Sequence, residues 1–314
     1  MGSAFSAPAT MVETYRSGTH LRVGKFAVNG GYSIAMGIVY SSVVDAPLQQ
    51  VFDWHARRGA LVRLSPPWQP VRVVQESGSL RDGAAILGLP GGLRWIAQHQ
   101  AAGYHPPDLF VDHLEGPLSR VTYWRHRHEF AAEGPSRTRL TDRVETPVPK
   151  FLLRPMFDYR HQQLAADLAV HALYSKSPLT VAVTGYETAV GTAFTALLST
   201  GGHRVVRLKP DDPMDGVDGV VDLAGSTVEL ARLAARSGVR VFVTTSRFRD
   251  DTAGIRMVWV RPSSLGRDHL CDFYLRALVD DQLAGPVNAV LPETTPVRPS
   301  GNLAKSIVDW VASR

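Results

Sequence analysis

The sequence has a single cysteine and no long apolar run. The lone Cys271 excludes an intramolecular disulfide and a cysteine-based zinc site, which is typical of a reducing compartment. No apolar stretch approaches the roughly 20 residues that cross a bilayer. The N-terminus also lacks the basic segment and following apolar segment of a secretory signal. We therefore predict a cytoplasmic protein without a membrane span.

The chain also lacks a concentrated block of one charge. It carries 34 Lys and Arg against 29 Asp and Glu, a net charge of +5, but its arginines are interleaved with acids. A dispersed excess of this kind is typical of a solvated surface, whereas nucleic-acid binding favours a basic stripe or patch. We expect no nucleic-acid partner.

Length and composition indicate two domains. A chain of 314 residues with 44% apolar content is long enough for two hydrophobic cores. The segment 1–31 mixes Ser, Gly and Thr with little periodicity and is predicted to be a flexible N-terminal arm. The segment 175–178 has the composition of a linker, so we place the domains at 32–175 and 178–314.

The first predicted domain is rich in short strands. An apolar, β-branched run predicts a strand over 32–44, and Pro47 suits the first turn of a helix over 47–57. A helical apolar stripe predicts a long helix over 152–174. Between these helices, Gly or Pro turns separate strands predicted over 71–75, 83–89, 93–104, 109–114, 121–130 and 136–146.

This order predicts an α+β helix-grip domain, in which an antiparallel sheet wraps around a long C-terminal helix. Strand alternation and the helical stripe point bulky side chains toward a shared interior. We expect a cavity there for an apolar or aromatic small molecule. The predicted cavity residues are Trp68, Trp95, Trp124, His126, His128, Phe130, Phe157 and Leu164.

Two motifs in this half resemble the polyketide-cyclase/START-like (SRPBCC) superfamily. They are Val44-Asp45-Ala46-Pro47 followed by Val51-Phe52, and the run Arg63-Leu64-Ser65-Pro66-Pro67-Trp68. The resemblance covers about 32–175 and implies the helix-grip fold. The superfamily holds carriers, cyclases, hydrolases and lipid binders, so the resemblance leaves the ligand open.

His126 and His128 alternate with aromatic residues on one predicted strand and therefore share a face. Two histidines so placed are typical of polar lining, and with no carboxylate at ligand spacing we expect no metal site. Two alternatives stay open. One of the pair is a general base for a cyclase-like reaction, or both bind a metal with further ligands from His99, His105, His113 or His161.

The second predicted domain alternates strands and helices, which indicates a parallel α/β sheet. Its first strand is continuously apolar, as buried parallel strands are. The stretch between Gly225 and Ile255 leaves little room for further elements, so we predict a shortened Rossmann-like domain. Its strands are predicted over 179–185, 203–208, 219–223 and 239–244, and its helices over 189–199 and 228–237.

The turn after that first strand has the spacing of a dinucleotide-binding glycine motif. Gly185 and Gly191 stand where the outer glycines of Gly-x-x-Gly-x-x-Gly stand, but Thr188 occupies the middle position. Its side chain crowds the place where pyrophosphate would contact the backbone. Glu187 adds a negative charge at a helix N-terminus. We expect a turn kept as scaffold, although retained cofactor binding stays open.

The same half resembles the epimerase-like atypical short-chain dehydrogenases, a branch often joined to a START-like domain. The resemblance rests on the runs 181–185, 202–208, 220–225 and, most specifically, on Gly-Pro-Val-Asn-Ala at 285–289. It implies NADP(H) as cofactor. Two cations after the second strand also favour NADP over NAD. The candidate cofactor residues are Gly185, Thr188, Gly191, Arg207, Lys209, Ala224 and Gly225.

One departure from that branch concerns its catalytic pair. Its members carry a Tyr and a Lys four positions apart on a helix. Here the residue four positions after Tyr186 is Val190, and the residue four positions after Tyr274 is Leu278, so neither tyrosine has the lysine. We therefore assign no catalytic residue, and expect no cofactor or only weak NADP(H) binding.

Three functions follow from these observations. The sequence favours a binding or carrier protein for an apolar small molecule, with a non-catalytic Rossmann-like domain as scaffold or regulator. The shortened sheet exposes an edge through which the chain could form a homodimer. The alternatives are an NADP-dependent oxidoreductase or epimerase whose first domain presents substrate, and a cyclase or hydrolase acting in the first cavity.

Calorimetry with NADPH and NADH tests the glycine turn. The Thr188 side chain and the Glu187 charge together cost about 2–4 kcal/mol of binding, roughly 30- to 1000-fold in affinity. The unmodified chain should therefore bind weakly or not at all, and Thr188→Gly should bind more tightly. Micromolar binding by the unmodified chain contradicts this expectation.

Overall fold

The structure is a computed structural model, and its N-terminal unit, residues 1–35, contains an antiparallel hairpin of β1 (Lys25–Val28) and β2 (Gly31–Ile34). The rest of the predicted flexible arm lies outside the described residues. No helix within the described ranges is long and apolar enough to cross a membrane. The described residues are 25–28, 31–34, 37–209, 212–225, 228–246, 255–261, 265–289 and 295–299.

Residues 36–314 form a second unit that begins with a seven-stranded antiparallel sheet. The spatial order of the strands is β3-β9-β8-β7-β6-β5-β4, so the first strand pairs with the last. The strands are β3 (Gly37–Val44), β4 (Arg72–Gln75), β5 (Ala84–Gly88), β6 (Arg94–His99), β7 (Leu109–Glu115), β8 (Arg125–Ala132) and β9 (Thr138–Glu145).

Helices α1 (Leu48–Ala56) and α2 (Ala60–Leu64) follow β3, and the long α3 (Lys150–Tyr174) follows β9. This arrangement confirms the predicted helix-grip fold. The strand predicted over 93–104 ends at His99, because residues 101–103 form a 3₁₀ turn. The strand predicted over 121–130 begins only at Arg125, after a second 3₁₀ turn.

The second half contains a fully parallel sheet, as predicted, but the sheet has six strands where the sequence predicted four, and its last two strands and last helix were not predicted. The spatial order is β11-β10-β12-β13-β14-β15. The strands are β10 (Thr180–Thr184), β11 (Arg204–Arg207), β12 (Gly219–Asp222), β13 (Val241–Thr244), β14 (Arg256–Arg261) and β15 (Gly285–Asn288). The helices are α4 (Ala189–Thr200), α5 (Val228–Arg236) and α6 (Arg267–Val279). The boundary predicted at 175–178 falls between α3 and β10 and stays a prediction.

Helix α3 is buried on two sides, which explains why its apolar stripe is broad. Phe157 and Leu164 face the antiparallel sheet, whereas Asp167 and His171 reach the parallel half. Nε2 of His171 lies 3.0 Å from the Leu197 carbonyl oxygen of α4. The helix therefore serves as a shared wall of both halves.

Buried ion pairs cross the same region. The guanidinium of Arg63, in α2, donates to both carboxylate oxygens of Asp167 at 2.8 and 2.7 Å, and both side chains are fully buried. Arg63 also pairs with Asp268 of α6. Arg298 pairs with Asp167 and with Asp272. Each of these carboxylates has at least one cation beside it, as buried charges require.

Gly59 sets the distance between the α1–α2 turn and α4. Its φ of +92° is left-handed, and a Cβ there would lie 2.7 Å from Cα of Ala196. Only glycine therefore permits both the turn and the close approach of the helix. Gly134, in the turn between β8 and β9, also has a positive φ of +112°, but nothing lies within 4 Å of its Cβ position.

Gly59→Ala should destabilise the protein more than Gly134→Ala does. Both changes strain a left-handed residue by about 1–2 kcal/mol, and Gly59→Ala adds an overpacking cost of about 1–3 kcal/mol. Urea unfolding measures both free energies. Equal losses in the two variants would show that α4 does not depend on this contact.

Candidate functional site

The interior of the helix grip contains polar side chains on three neighbouring strands. Alternation places His126 and His128 on the inner face of β8. The antiparallel register pairs His126 with Asp112 of β7, and His128 with Asp142 of β9. All four residues are buried. Together with the buried His161 of α3, they are here called the His/Asp cluster.

Asp142 lies at the centre of the His/Asp cluster. Its Oδ1 atom is 2.9 Å from Nε2 of His126 and 2.9 Å from Nδ1 of His128. Its Oδ2 atom is 2.8 Å from Nε2 of His161, whose Nδ1 is 2.7 Å from the Ser42 hydroxyl. One carboxylate therefore orients three imidazole rings.

Asp112 faces the first two of these rings from another side. Its Oδ2 atom lies 3.3 Å from Nε2 of His128 and 3.7 Å from Nδ1 of His126. The ligand atoms of Asp112, His126 and His128 all lie within 4.8 Å of one another. This arrangement can hold a proton or a cation between two imidazoles and a carboxylate.

The buried groups shift one another's pKa values. Burial, reinforced by His128, lowers the pKa of His126 to about 4. Burial also disfavours protonation of His128, but Asp142 and Asp112 outweigh it and raise the pKa of that ring. Burial would raise the pKa of Asp142, yet the two histidines hold it well below its ordinary value. His128 therefore retains a proton more readily than His126.

Aromatic rings pack around the cluster and around its neighbours. Phe110 stacks on His128 with 4.1 Å between ring centroids, and Phe157 meets His126 edge to face at 5.4 Å. Trp124 meets the same histidine at 6.0 Å. The polar groups thus lie in a largely apolar setting, where each hydrogen bond and charge has a stronger effect than in water.

Seven of the eight predicted cavity residues lie on this inner face or on the side of α3 that covers it. Trp95 and Trp124 are half-buried and meet edge to face at 5.5 Å. Phe130 and Leu164 belong to an adjoining apolar cluster. Trp68 lies apart, because it packs on Tyr159, which is on another side of α3 from Phe157, at 5.2 Å.

Asp112 and Asp142 are the functional residues that sequence reasoning missed. Neither residue lies close to His126 or His128 along the chain. Cross-strand pairing brings them together instead. The available signal was that each aspartate lies two residues after an apolar core residue of the same strand, Asp112 after Phe110 and Asp142 after Leu140. Residues two apart on a strand share a face, so each carboxylate points into the core.

The histidines proposed as further ligands have different locations. Within the described ranges, His161 joins the cluster, whereas Nδ1 of His99 lies 3.1 Å from a serine hydroxyl and a backbone carbonyl. His113 contacts Glu115 on the opposite face of β7. His105 is exposed.

A separate groove of about 520 Å³ lies at the β4 edge of the sheet. It is lined by residues of β4, the end of β5 and the turn before β6, including Val74, Leu89 and Leu93. Its lining contains none of the eight predicted cavity residues.

The glycine turn forms as the sequence indicates, with Thr188 as the N-cap of α4. Its Oγ1 atom accepts a hydrogen bond from the Gly191 N–H at 3.0 Å and donates to the Gly185 carbonyl at 2.8 Å. A Cβ at Gly191 would lie 2.1 Å from the Gly185 carbonyl oxygen, so this glycine permits the helix to pack on the turn. The Thr188 hydroxyl thus accepts the hydrogen bond of a helix N-terminal N–H that could otherwise be donated to a phosphate.

The other candidate cofactor residues surround the ends of the parallel strands. Arg207 extends over the ring of Tyr186 at 5.8 Å, and the backbone N–H of the exposed Lys209 donates to the Asp212 carboxylate at 2.8 Å. The N–H of Ala224 is 3.3 Å from the Thr184 hydroxyl, and Gly225 has a left-handed φ of +73°.

A buried carboxylate joins three neighbouring strand ends in the parallel half. Asp222 accepts hydrogen bonds from the hydroxyls of Thr184 and Thr244 at 2.5 and 3.0 Å. Thr244 is the last residue of β13. Here its proton is directed to Asp222, which supports a structural role.

Comparison with known proteins supports both resemblances. The family model described as "Polyketide cyclase / dehydrase and lipid transport" matches residues 44–169. Among solved structures, the chain is similar to the nucleoside-diphosphate sugar epimerase from Corynebacterium glutamicum, at 30% identity and a TM-score of 0.71, over 82% of this chain and 78% of that one. It is also similar to a START superfamily protein from Mycobacterium smegmatis, at 15% identity and a TM-score of 0.27, over 41% of this chain and 91% of that one. No curated protein matches the sequence.

The stability contributed by His55 should depend on pH. This α1 residue packs beside the cluster, and burial lowers its pKa from 6.5 to about 3. Between these values the unfolded chain binds a proton at this ring that the folded chain does not, so stability falls as the pH falls. The loss from His55 alone is about 2 kcal/mol at pH 5.

Urea unfolding of His55→Leu and the unmodified chain at pH 7.5 and pH 5 measures this term. The variant should gain about 2 kcal/mol relative to the unmodified chain between the two pH values. Phe52→Leu, a non-titrating change in the same helix, serves as the control and should show no such gain. Parallel pH profiles for His55→Leu and the unmodified chain contradict the prediction.

Proposed function

The chain belongs to the family of the nucleoside-diphosphate sugar epimerase from Corynebacterium glutamicum, and its residues 44–169 match the polyketide cyclase model. From this premise we propose that it binds an apolar or aromatic small molecule. The ligand lies in the helix-grip interior. The parallel half is a non-catalytic Rossmann-like scaffold that supports α3.

The half-buried pair Trp95 and Trp124 carries this proposal. The Trp124 ring meets Trp95 at 5.5 Å and His126 at 6.0 Å, and His126 in turn meets Phe157 at 5.4 Å. Small-molecule sites are mainly apolar and aromatic, with a few fixed polar groups that orient the ligand. The two indole rings and the His/Asp cluster provide this combination at one end of the interior.

The entrance to the interior lies at this end of the sheet, where several apolar side chains are exposed. The turn from β5 to β6, the loop from β7 to β8 and the start of α3 all lie at this end, because the strands alternate in direction. Exposed apolar clusters of this kind often mark binding sites. The residues are Leu93, Val121, Tyr123, Phe151 and Leu152, which are 47–80% exposed.

Several contacts support a scaffold role for the parallel half. The Gly191 N–H donates to the Thr188 hydroxyl, and the Thr244 hydroxyl donates to the buried carboxylate of Asp222. Tyr274 is buried in the hydrophobic core and has Leu278 where a catalytic lysine would stand. These observations favour a cofactor-free domain or one with only weak NADP(H) binding.

An NADP-dependent epimerase or oxidoreductase is the second candidate. The observation that favours it is the similarity over most of the chain to a protein named a nucleoside-diphosphate sugar epimerase. Titration with NADPH separates the two candidates, because tight binding to the unmodified chain supports the enzyme and its absence supports the scaffold.

Binding of 8-anilinonaphthalene-1-sulfonate tests the interior site. Trp124→Ala removes an aromatic contact of about 1.5–3 kcal/mol, so it should weaken binding roughly 10- to 100-fold. Fluorescence titration gives the affinity, and mass spectrometry of small molecules extracted from the purified protein identifies the natural ligand class.

Trp259→Phe, in β14 of the parallel half, is the matched control and should leave the affinity unchanged. Equal loss in both variants, or no loss in either, would place the probe outside the helix-grip interior and count against the proposal.

A further inference from the structure

We propose that Asp112, His126 and His128 form a site for one divalent transition-metal ion of the Zn²⁺ or Fe²⁺ class. The inference does not rest on the proposed function, since its observations concern three side chains of β7 and β8, although one of them, His126, also contacts Trp124 of the proposed ligand site. The sequence favours no metal site because no carboxylate lies near His126 or His128 along the chain, but strand pairing places Asp112 opposite His126.

The two distances from Asp112 to the imidazoles are one long hydrogen bond and one contact beyond hydrogen-bond range, and both fit a shared ion. Oδ2 of Asp112 lies 3.3 Å from Nε2 of His128 and 3.7 Å from Nδ1 of His126. The longer of these exceeds a normal hydrogen bond. Ligands about 2.0–2.2 Å from a tetrahedral metal stand roughly 3.3–3.6 Å from one another. The three donors therefore need only small shifts to surround one ion.

Asp142 directs the correct ring nitrogens toward that position. It lies 2.9 Å from Nε2 of His126 and 2.9 Å from Nδ1 of His128. When each ring directs its N–H to this carboxylate, the lone pairs of the other two nitrogens face Asp112. Metal-binding histidines commonly direct their second nitrogen to a carboxylate in this way.

Burial adds a further reason for a cation. Asp112 and Asp142 are 7% and 3% exposed, and all the ion pairs that the structure gives them are with histidines. Buried carboxylates are normally paired with a charge or bound to a metal. A divalent ion held by Asp112 would neutralise both carboxylates at once.

The ligand set also indicates the class of site. Two imidazoles and one carboxylate suit Zn²⁺ or Fe²⁺, and three protein ligands leave an open coordination position. Structural zinc sites usually have four protein ligands. The site is therefore of the open kind that binds water or one oxygen or nitrogen atom of a small molecule.

Metal titration of the full, untagged chain tests the proposal. After dialysis against a chelator, Co²⁺ should bind at one ion per chain with visible absorption bands, and Zn²⁺ should displace it. Asp112→Asn and His126→Gln should each lose the stoichiometric ion. Asp142→Asn, which keeps all three ligands, should weaken affinity about 10- to 100-fold.

His113→Ala and Glu115→Gln are the matched controls, since both residues lie on β7 but on its outer face. Both should bind Co²⁺ as the unmodified chain does. Zn²⁺ should also raise the thermal unfolding midpoint of the unmodified chain and of the controls, but not that of Asp112→Asn.

Two results would overturn the site: no stoichiometric Co²⁺ or Zn²⁺ binding by the unmodified chain at micromolar concentration, or unchanged binding in His126→Gln. If Asp112→Asn does not fold, these two measurements still decide the matter. Asp112→Asn leaves Trp95, Trp124 and His126 in place, so the anilinonaphthalene titration reports on the small-molecule site and the Co²⁺ titration on the metal site, and failure of either proposal can be recognised separately.

Discussion

The buried pair of Arg63 and Asp167 is the interaction on which the arrangement of 36–314 depends. Removing two charges from water costs several kcal/mol for each ion, so the pair is stable only where every remaining donor is also satisfied. The guanidinium extends to Asp268 of α6, and Asp167 receives a second cation from Arg298. Burial would raise the pKa of Asp167, but these two arginines hold it well below its ordinary value. The network is complete only when both halves are folded together.

This constraint reaches the His/Asp cluster through α3. One side of the helix presents Asp167 to the ion network, and the other presents His161 to Asp142. A rigid helix that carries both side chains relates the position of one to the position of the other. A parallel half without catalysis can therefore still matter for the interior site, because it holds the helix that completes the cluster. A scaffold role of the parallel half would consist in holding α3, and with it His161, in place.

Local patterns predicted most of the fold, while the site needed information about long-range pairing. Apolar periodicity located α1, α3, α4 and the strands from β3 to β13, because each pattern is contained within one element, whereas β14, β15 and α6 were not predicted. The cluster depends on Asp112 and Asp142, whose relation to His126 is set by strand register rather than by sequence distance. Trp68 shows the same limit, since its loop position does not reveal which side of α3 it contacts.

Register and chemistry are linked in the antiparallel sheet. Along β8, His126 and His128 alternate with Arg127 and Glu129, which form ion pairs on the outer face. A slip of one residue would exchange the faces and place a guanidinium and a carboxylate inside the core. The inner histidines find acceptors only in the native register, where Asp112 and Asp142 stand opposite them. The polar cluster thus opposes alternative pairings of the central strands, and its chemistry and the specificity of the fold depend on the same contacts.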